Sequence, residues 1–285
     1  MILEEKYVLA SGVKIPKIGL GTWMIPDDDA EKAVIDAIGL GYRHIDTAQA
    51  YGNEKGVGAG IRNCGLPREE IFVTSKVAAE NKTYDSAKAS IEETLKKTGL
   101  GYIDMMIIHS PQPWSEFRGE KRYFKENIEV WRALEDAYNE GKIRAIGVSN
   151  FLIDDMKNLL GECRIKPMVN QVLAHAGNMP EQLIKYCLNE NVLVEAYSPI
   201  AHGEALKSEE IAVLAKKYGV STAQICIRYV LQSGLVALPK TANEEHMKTN
   251  AEVDFVISDE DMKTLDSLGK IPYGEFTFFP VFSGK

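Results

Sequence analysis

Cysteine is scarce in this chain, and the four present are scattered. Cys64, Cys163, Cys187 and Cys226 form no Cys-x-x-Cys pair, and no histidine stands beside them at zinc-finger spacing. Neither a disulfide framework nor a structural zinc site is supported by that spacing, and the thiols are expected to be reduced. Long apolar runs are missing too. Nothing approaches the roughly 20 apolar residues that cross a bilayer, and the opening MILEEKYVLA carries acids where a secretion signal carries bases. Positive charge is in deficit: the formal net charge of -8 repels nucleic acid and anionic membrane at long range. The five histidines are dispersed, and there is no G-x-S-x-G elbow, no H-E-x-x-H and no G-x-x-x-x-G-K loop. No metal site or hydrolytic nucleophile is expected. These absences predict a soluble, cytoplasmic, monomeric protein whose partner is a small molecule.

What is present is one repeated pattern. The composition, 45% hydrophobic and 26% charged, is that of an ordinary globular protein, and 285 residues allow two modest domains or one large barrel. Short runs rich in Ile, Val, Leu and Met alternate with amphipathic segments. The runs are IGLGT (18–22), RHIDT (43–47), IFVTSK (71–76), IDMMIIH (103–109), IRAIGVS (143–149), MVNQ (168–171), VLVEAY (192–197) and LVALPK (235–240). Helix-like stretches lie between them, including 28–40, 85–97, 128–140, 154–160 and 180–189. Several open at Asp, Ser or Pro and close at Gly. Such crossovers return each strand parallel to the one before. Eight strand and helix units are the arithmetic of an α/β fold of the (β/α)8 TIM-barrel type. No linker-like run divides the chain, so residues 1–285 are read as a single barrel domain. Residues 7–19 turn at Ser11 and Gly12 and predict a β-hairpin closing the barrel bottom. The tail, residues 269–285, has little helical period but carries Phe276, Phe278, Phe279 and Phe282. It is either a plug near the barrel mouth or part of a pocket wall.

In a parallel barrel, chemistry gathers where the strands end. Strand two ends at Asp46 with Tyr51 just beyond; the next ends at Lys76, then His109, Ser149 with Asn150, Gln171, Tyr197 with Ser198, and Lys240 with Thr241. Any one of these has an unremarkable explanation as a cap, a solvated charge or buried packing. Asp46, Lys76, Tyr51 and His109 together, from neighbouring strands, make a coherent proton relay. A phenol with a pKa of about 10 is a reluctant acid. A nearby ammonium is expected to lower that pKa, a carboxylate holds the ammonium charged, and a neutral imidazole orients a carbonyl oxygen. That equipment reduces a carbonyl if hydride comes from elsewhere, which implies a nicotinamide cofactor.

With these motifs in order, the sequence resembles the aldo-keto reductase family over nearly its whole length. The resemblance is to bacterial-type members with a short C-terminal tail. It is carried by GLGTW at Gly19, DTAQAYGNE at Asp46, SK at Lys76, YIDMMIIH into His109, IRAIGVSNF at Ile143, NQ at Gln171, AYSP at Ala196 and LPKT at Leu238. It implies a barrel that binds extended NADPH, with NADH as the alternative, and reduces aldehydes or ketones. The position of Tyr51 would be the general acid, with Lys76 and Asp46 tuning it and His109 orienting the carbonyl. Ser149, Asn150 and Gln171 would hold the nicotinamide carboxamide, and Tyr197 would stack on its ring. Lys240 and Thr241 would meet the adenosine ribose and any 2'-phosphate, with Asn250 near the adenine. Gly21, Thr22, Ser198, Pro199 and His246 would complete the cofactor contacts, and Trp23 and Trp114 would join Tyr51 and His109 around the substrate.

Three positions depart from the family pattern. Ser110 stands where a tryptophan commonly follows the catalytic histidine, so Trp114 or Phe117 is expected to supply the aromatic wall. His246 replaces an arginine usual in NADP-using relatives, and arginine is the residue that forks onto phosphate. Thr249 stands where an acidic or amide residue is common. GVGAG at 56–60 follows a loop and lacks dinucleotide-loop spacing. Two other functions use the same barrel. A cofactor-binding redox sensor or regulatory barrel with little turnover would not need the full relay, and an isomerase or aldolase would use Lys76 as a Schiff base.

Overall fold

The computed structural model describes residues 1–283. A short antiparallel hairpin, β1 (Lys6–Val8) and β2 (Lys14–Pro16), opens the chain. Eight parallel strands follow in chain order: β3 (Leu20–Gly21), β4 (His44–Asp46), β5 (Phe72–Val77), β6 (Ile103–Ile108), β7 (Ile143–Ser149), β8 (Val169–Leu173), β9 (Leu193–Tyr197) and β10 (Val236–Leu238). Each pairs with its neighbour in sequence. Parallel bridges from Ile18 to Ala237 and from Gly21 to Lys240 join the last strand to the first and close the barrel. The hairpin runs directly into β3 and sits against the N-terminal ends of the staves, where the Lys17 carbonyl accepts from the Ala237 amide.

Both faces of such strands are covered, by helices outside and by neighbouring staves inside. That is why β5 and β6 are buried at every residue and read as continuous apolar runs in sequence. The helices are α1 (Asp27–Gly39), α2 (Glu54–Asn63), α3 (Tyr84–Thr98), α4 (Phe124–Asn139), α5 (Ile153–Glu162), α6 (Glu181–Asn189), α7 (Glu209–Tyr218), α8 (Thr222–Gln232), α9 (Glu244–Ala251) and α10 (Asp259–Asp266). Local chemistry sets several of their ends. Thr83 and Ser221 cap α3 and α8 with reciprocal side-chain bonds, while Gly99 ends α3 in the left-handed conformation.

GVGAG lies inside α2. Its glycines are there for contact. A methyl group on Gly56 or Gly58 would drive into the carbonyl oxygens of Asp27 and Thr98, and one on Gly60 would meet Val34. The helix therefore packs backbone to backbone against α1 and the end of α3.

The tail after α10 forms two short 3-10 turns, Gly274–Phe278 and Pro280–Phe282. They cross the C-terminal mouth of the barrel and supply a pocket wall.

Candidate active site

Lys76 is the hub. It is fully buried on β5, and its ammonium donates to Asp46 Oδ1 at 2.5 Å, to the Thr47 carbonyl at 2.9 Å and to the Tyr51 hydroxyl at 3.2 Å. Register explains the meeting. β4 pairs with β5 so that Asp46 and Lys76 reach the same end of adjacent staves, and a 3-10 turn at Gln49–Tyr51 brings the phenol back over them. Burial alone would strip the proton from Lys76, but Asp46 and Tyr51 hold its pKa above the usual lysine value. Asp46 does not reach solvent at the strand end; it is only 4% exposed.

The expected fall in the Tyr51 pKa is not found. Burial raises it, the Lys76 ammonium pulls it down, Asp46 pushes it up again, and the balance is upward. Desolvation disfavours the phenolate more than the ammonium favours it. Tyr51 is thus a firmly protonated acid, with its conjugate base provided for by Lys76.

His109, at the end of β6, packs edge-on to the Tyr51 ring at 5.6 Å. Burial first, then the Lys76 charge, push its pKa well below the ordinary histidine value, so the ring is neutral. Its Nδ1 is buried without a hydrogen-bond partner, which leaves Nε2 as the nitrogen for the cavity.

Behind the relay lies a second polar cluster, in which Glu195 and His44 had no part in the sequence reading. Gln171 on β8 donates from its amide nitrogen to Asp46 Oδ2 at 2.8 Å and to Glu195 Oε2 at 3.0 Å. Glu195, fully buried, has its pKa pushed up to about 8 by burial and by Asp46. His44, 3.9 Å from Glu195, is pushed down to about 3 by burial and Lys76. His44 lies two residues before Asp46 and Glu195 two before Tyr197, so each shares the strand face of a predicted site residue; that spacing was the available signal.

The relay opens into a cavity of about 470 Å³ at the barrel mouth. Of the expected site residues, Gly21, Trp23, Asp46, Tyr51, His109, Trp114, Ser149, Asn150, Gln171, Tyr197, Ser198, Pro199 and Lys240 line it. Asn150 is held in the left-handed conformation; its amide donates to the His109 carbonyl at 3.0 Å and its Oδ1 accepts from the Tyr197 hydroxyl at 2.7 Å. Thr22 is buried behind the wall, its hydroxyl on the Asp46 carbonyl. Thr241, His246 and Asn250 also lie outside the lining. They follow β10 and run along α9, where Asn243 caps the helix by accepting from the His246 amide.

Trp114 takes up the aromatic wall, edge-on to His109 at 5.1 Å, with Phe117 behind it at 5.7 Å. Ser110 is buried and turned away, its hydroxyl accepting from the Gln112 amide. Phe276, Phe279 and Phe282 line the cavity, whereas Phe278 is exposed. His202 had no part in the sequence reading. It follows AYSPIA in a left-handed conformation, stacks on Phe276 at 4.2 Å and meets Trp23 edge-on at 5.4 Å. Its place just beyond a strand end was the available signal. Among the described residues no cluster of three metal-ligating side chains occurs, and no helix is long and apolar enough to cross a membrane.

Comparison with known proteins identifies relatives of this chain and of its fold. The family model described as Aldo/keto reductase family matches residues 17–270. The chain is 41% identical over 270 residues to the glyoxal reductase of Bacillus subtilis (strain 168), with 94% of each protein covered. Among solved structures it is similar to an aldo-keto reductase from a Medee basin deep-sea metagenome library, at 38% identity and a TM-score of 0.86, covering 92% of this chain and 94% of that one. It also matches a Bombyx mori aldo-keto reductase in complex with NADP, at 31% identity and a TM-score of 0.85, with 98% of each chain covered.

Proposed function

This chain belongs to the aldo/keto reductase family, and from that premise we propose that it reduces aldehydes or ketones to alcohols with NADPH. The observation that carries the reading is the single ammonium of Lys76 bonded at once to Asp46 and Tyr51. Tyr51 is the general acid: its hydroxyl gives its proton to the carbonyl oxygen. The phenolate left behind is stabilised by Lys76, which Asp46 keeps charged. Neutral His109 donates from Nε2 to the same oxygen and fixes its direction.

The walls suit the cofactor. The amide nitrogen of Gln171 is spent on Asp46 and Glu195, and its side-chain oxygen stays available on the cavity side, where Ser149 and Asn150 also stand. These groups would take the nicotinamide carboxamide, with the Tyr197 ring beneath. Lys240, Thr241, His246 and Asn250 would hold the adenosine end. Bound there, reduced nicotinamide supplies the hydride that no side chain can. A Schiff-base role for Lys76 is disfavoured, because its nitrogen already spends all three protons on Asp46, Thr47 and Tyr51.

The test is NADPH consumption, followed by its near-ultraviolet absorbance, with small aldehydes, α-dicarbonyls and keto sugars. Turnover with at least one class is expected. NADPH binding without turnover on any of them would favour a regulatory barrel instead.

A further inference from the structure

A second cavity, of about 250 Å³, adjoins the catalytic one, and the two share Asn150, Tyr197 and Val281 in their walls. Its prominent polar group is Arg118, in the loop after β6. This guanidinium is half-buried and lies 4.6 Å over the Phe117 ring. Its hydrogen bond within the protein is a long one, 3.3 Å to the Asn150 carbonyl. Asp155, whose field reaches it, is already engaged: Arg122 holds one oxygen at 2.8 Å and the Leu152 amide the other at 3.0 Å. Among the described residues Arg118 forms no salt bridge. A half-buried cation with most of its donors unspent is costly to keep, and five donors in a planar fork fit a carboxylate edge.

The loop is built to hold it there. Arg118 sits at φ 59, a left-handed conformation unfavourable for a residue with a Cβ. Gln112, only 3% exposed, pins it from within. Its Oε1 accepts from the Arg118 amide at 2.8 Å, and its amide bridges the Gly119 and Lys121 carbonyls at 2.9 and 2.7 Å. The remaining wall is mixed: Phe117, Leu173 and Ile271 give it apolar surface, Asn178 and Tyr273 add polar groups, and Lys270 adds a second cation. No residue of β10 or α9, where the cofactor's outer contacts are expected, belongs to this cavity.

We propose that this side cavity is a carboxylate-binding subsite, and that the preferred substrates are carbonyl compounds bearing a carboxylate on an apolar stem remote from the reacting carbon. The substrate part of this inference rests on the reductase reading above; the anion site itself does not. The aromatic series from His109 through Trp114 and Phe117 to Arg118 places the anion beyond two ring contacts, so the stem must have length.

The experiment compares a homologous series of ω-oxo carboxylates with their methyl esters in the wild type, Arg118→Gln and Arg118→Lys. At the best chain length the wild type should favour the acid over its ester. Arg118→Gln should lower kcat/KM for the acid by roughly 10- to 100-fold, mostly through KM, and leave the ester unchanged. Arg118→Lys should keep part of the preference. No preference in the wild type, or an equal fall for acid and ester, overturns the proposal. In parallel, intrinsic tryptophan fluorescence is titrated with hexanoate and with 1-hexanol. Hexanoate should bind and Arg118→Gln should weaken it; binding no stronger than that of the alcohol overturns the anion site. If hexanoate binds at Arg118 but no aldehyde is reduced, the anion site stands and the reductase reading falls.

Discussion

Gln171 pins Asp46. Its amide nitrogen sits 2.8 Å from Asp46 Oδ2, leaving Oδ1 for Lys76, and the same nitrogen reaches Glu195. One neutral amide thus stands between two buried acids. Gln171→Leu would leave both without that donor. The expected loss is about 2–4 kcal/mol of unfolding free energy, measured by urea denaturation near neutral pH. A loss well below 1 kcal/mol would show that the amide is not holding the carboxylates.

Glu195 gives a pH dependence with a definite sign. Its pKa is raised from an ordinary 4.5 to about 8, so the folded protein holds a proton that the unfolded chain has released between those values. Its contribution therefore favours folding most at low pH, declines from about 4.5 upward, and is lost by about 8. Glu195→Gln, which cannot titrate, should lose this decline. Unfolding free energies at pH 5 and pH 8.5 should differ less in the variant than in the wild type. An unchanged difference would contradict a protonated Glu195.

Gly58→Ala separates two opposing rules. Helix propensity alone would make alanine better by about 1 kcal/mol, but the added methyl meets the Thr98 carbonyl. The clash should win, lowering Tm and costing about 1–3 kcal/mol. A stabilised variant would mean that α2 moves away easily.

His246 is exposed on α9, outside the cavity lining, where an arginine would fork onto a phosphate. His246→Arg should tighten NADPH binding by about tenfold, one charged hydrogen bond's worth, and leave NADH nearly unchanged. Fluorescence titration of both cofactors reads this directly. Equal effects on both would remove His246 from the 2'-phosphate contacts.

Much of the fold could be read from the chain, because parallel staves are apolar on both faces and stop at turn residues. The run at 143–149 coincides with β7. α2 could not be read so easily: its glycines argue against a helix locally and are required only by how closely α1 and α3 approach. The four relay residues were visible as strand-end groups and through the family resemblance. The sign of the Tyr51 shift was not, since it depends on how completely the hydroxyl leaves water, and no local pattern encodes that. Glu195 and His44 were missed for a different reason. Each lies two residues before a site residue, on the same strand face, but deeper in the barrel than the strand-end groups that drew attention.

The central claim is that Tyr51 delivers the proton. Tyr51→Phe removes one oxygen from a site whose packing is otherwise kept, so the decisive measurement is kcat for NADPH-dependent aldehyde reduction in wild type and Tyr51→Phe, with NADPH affinity measured alongside. A fall of about 100-fold or more in kcat with cofactor binding intact is the expected result. Equal turnover by the two proteins would contradict it.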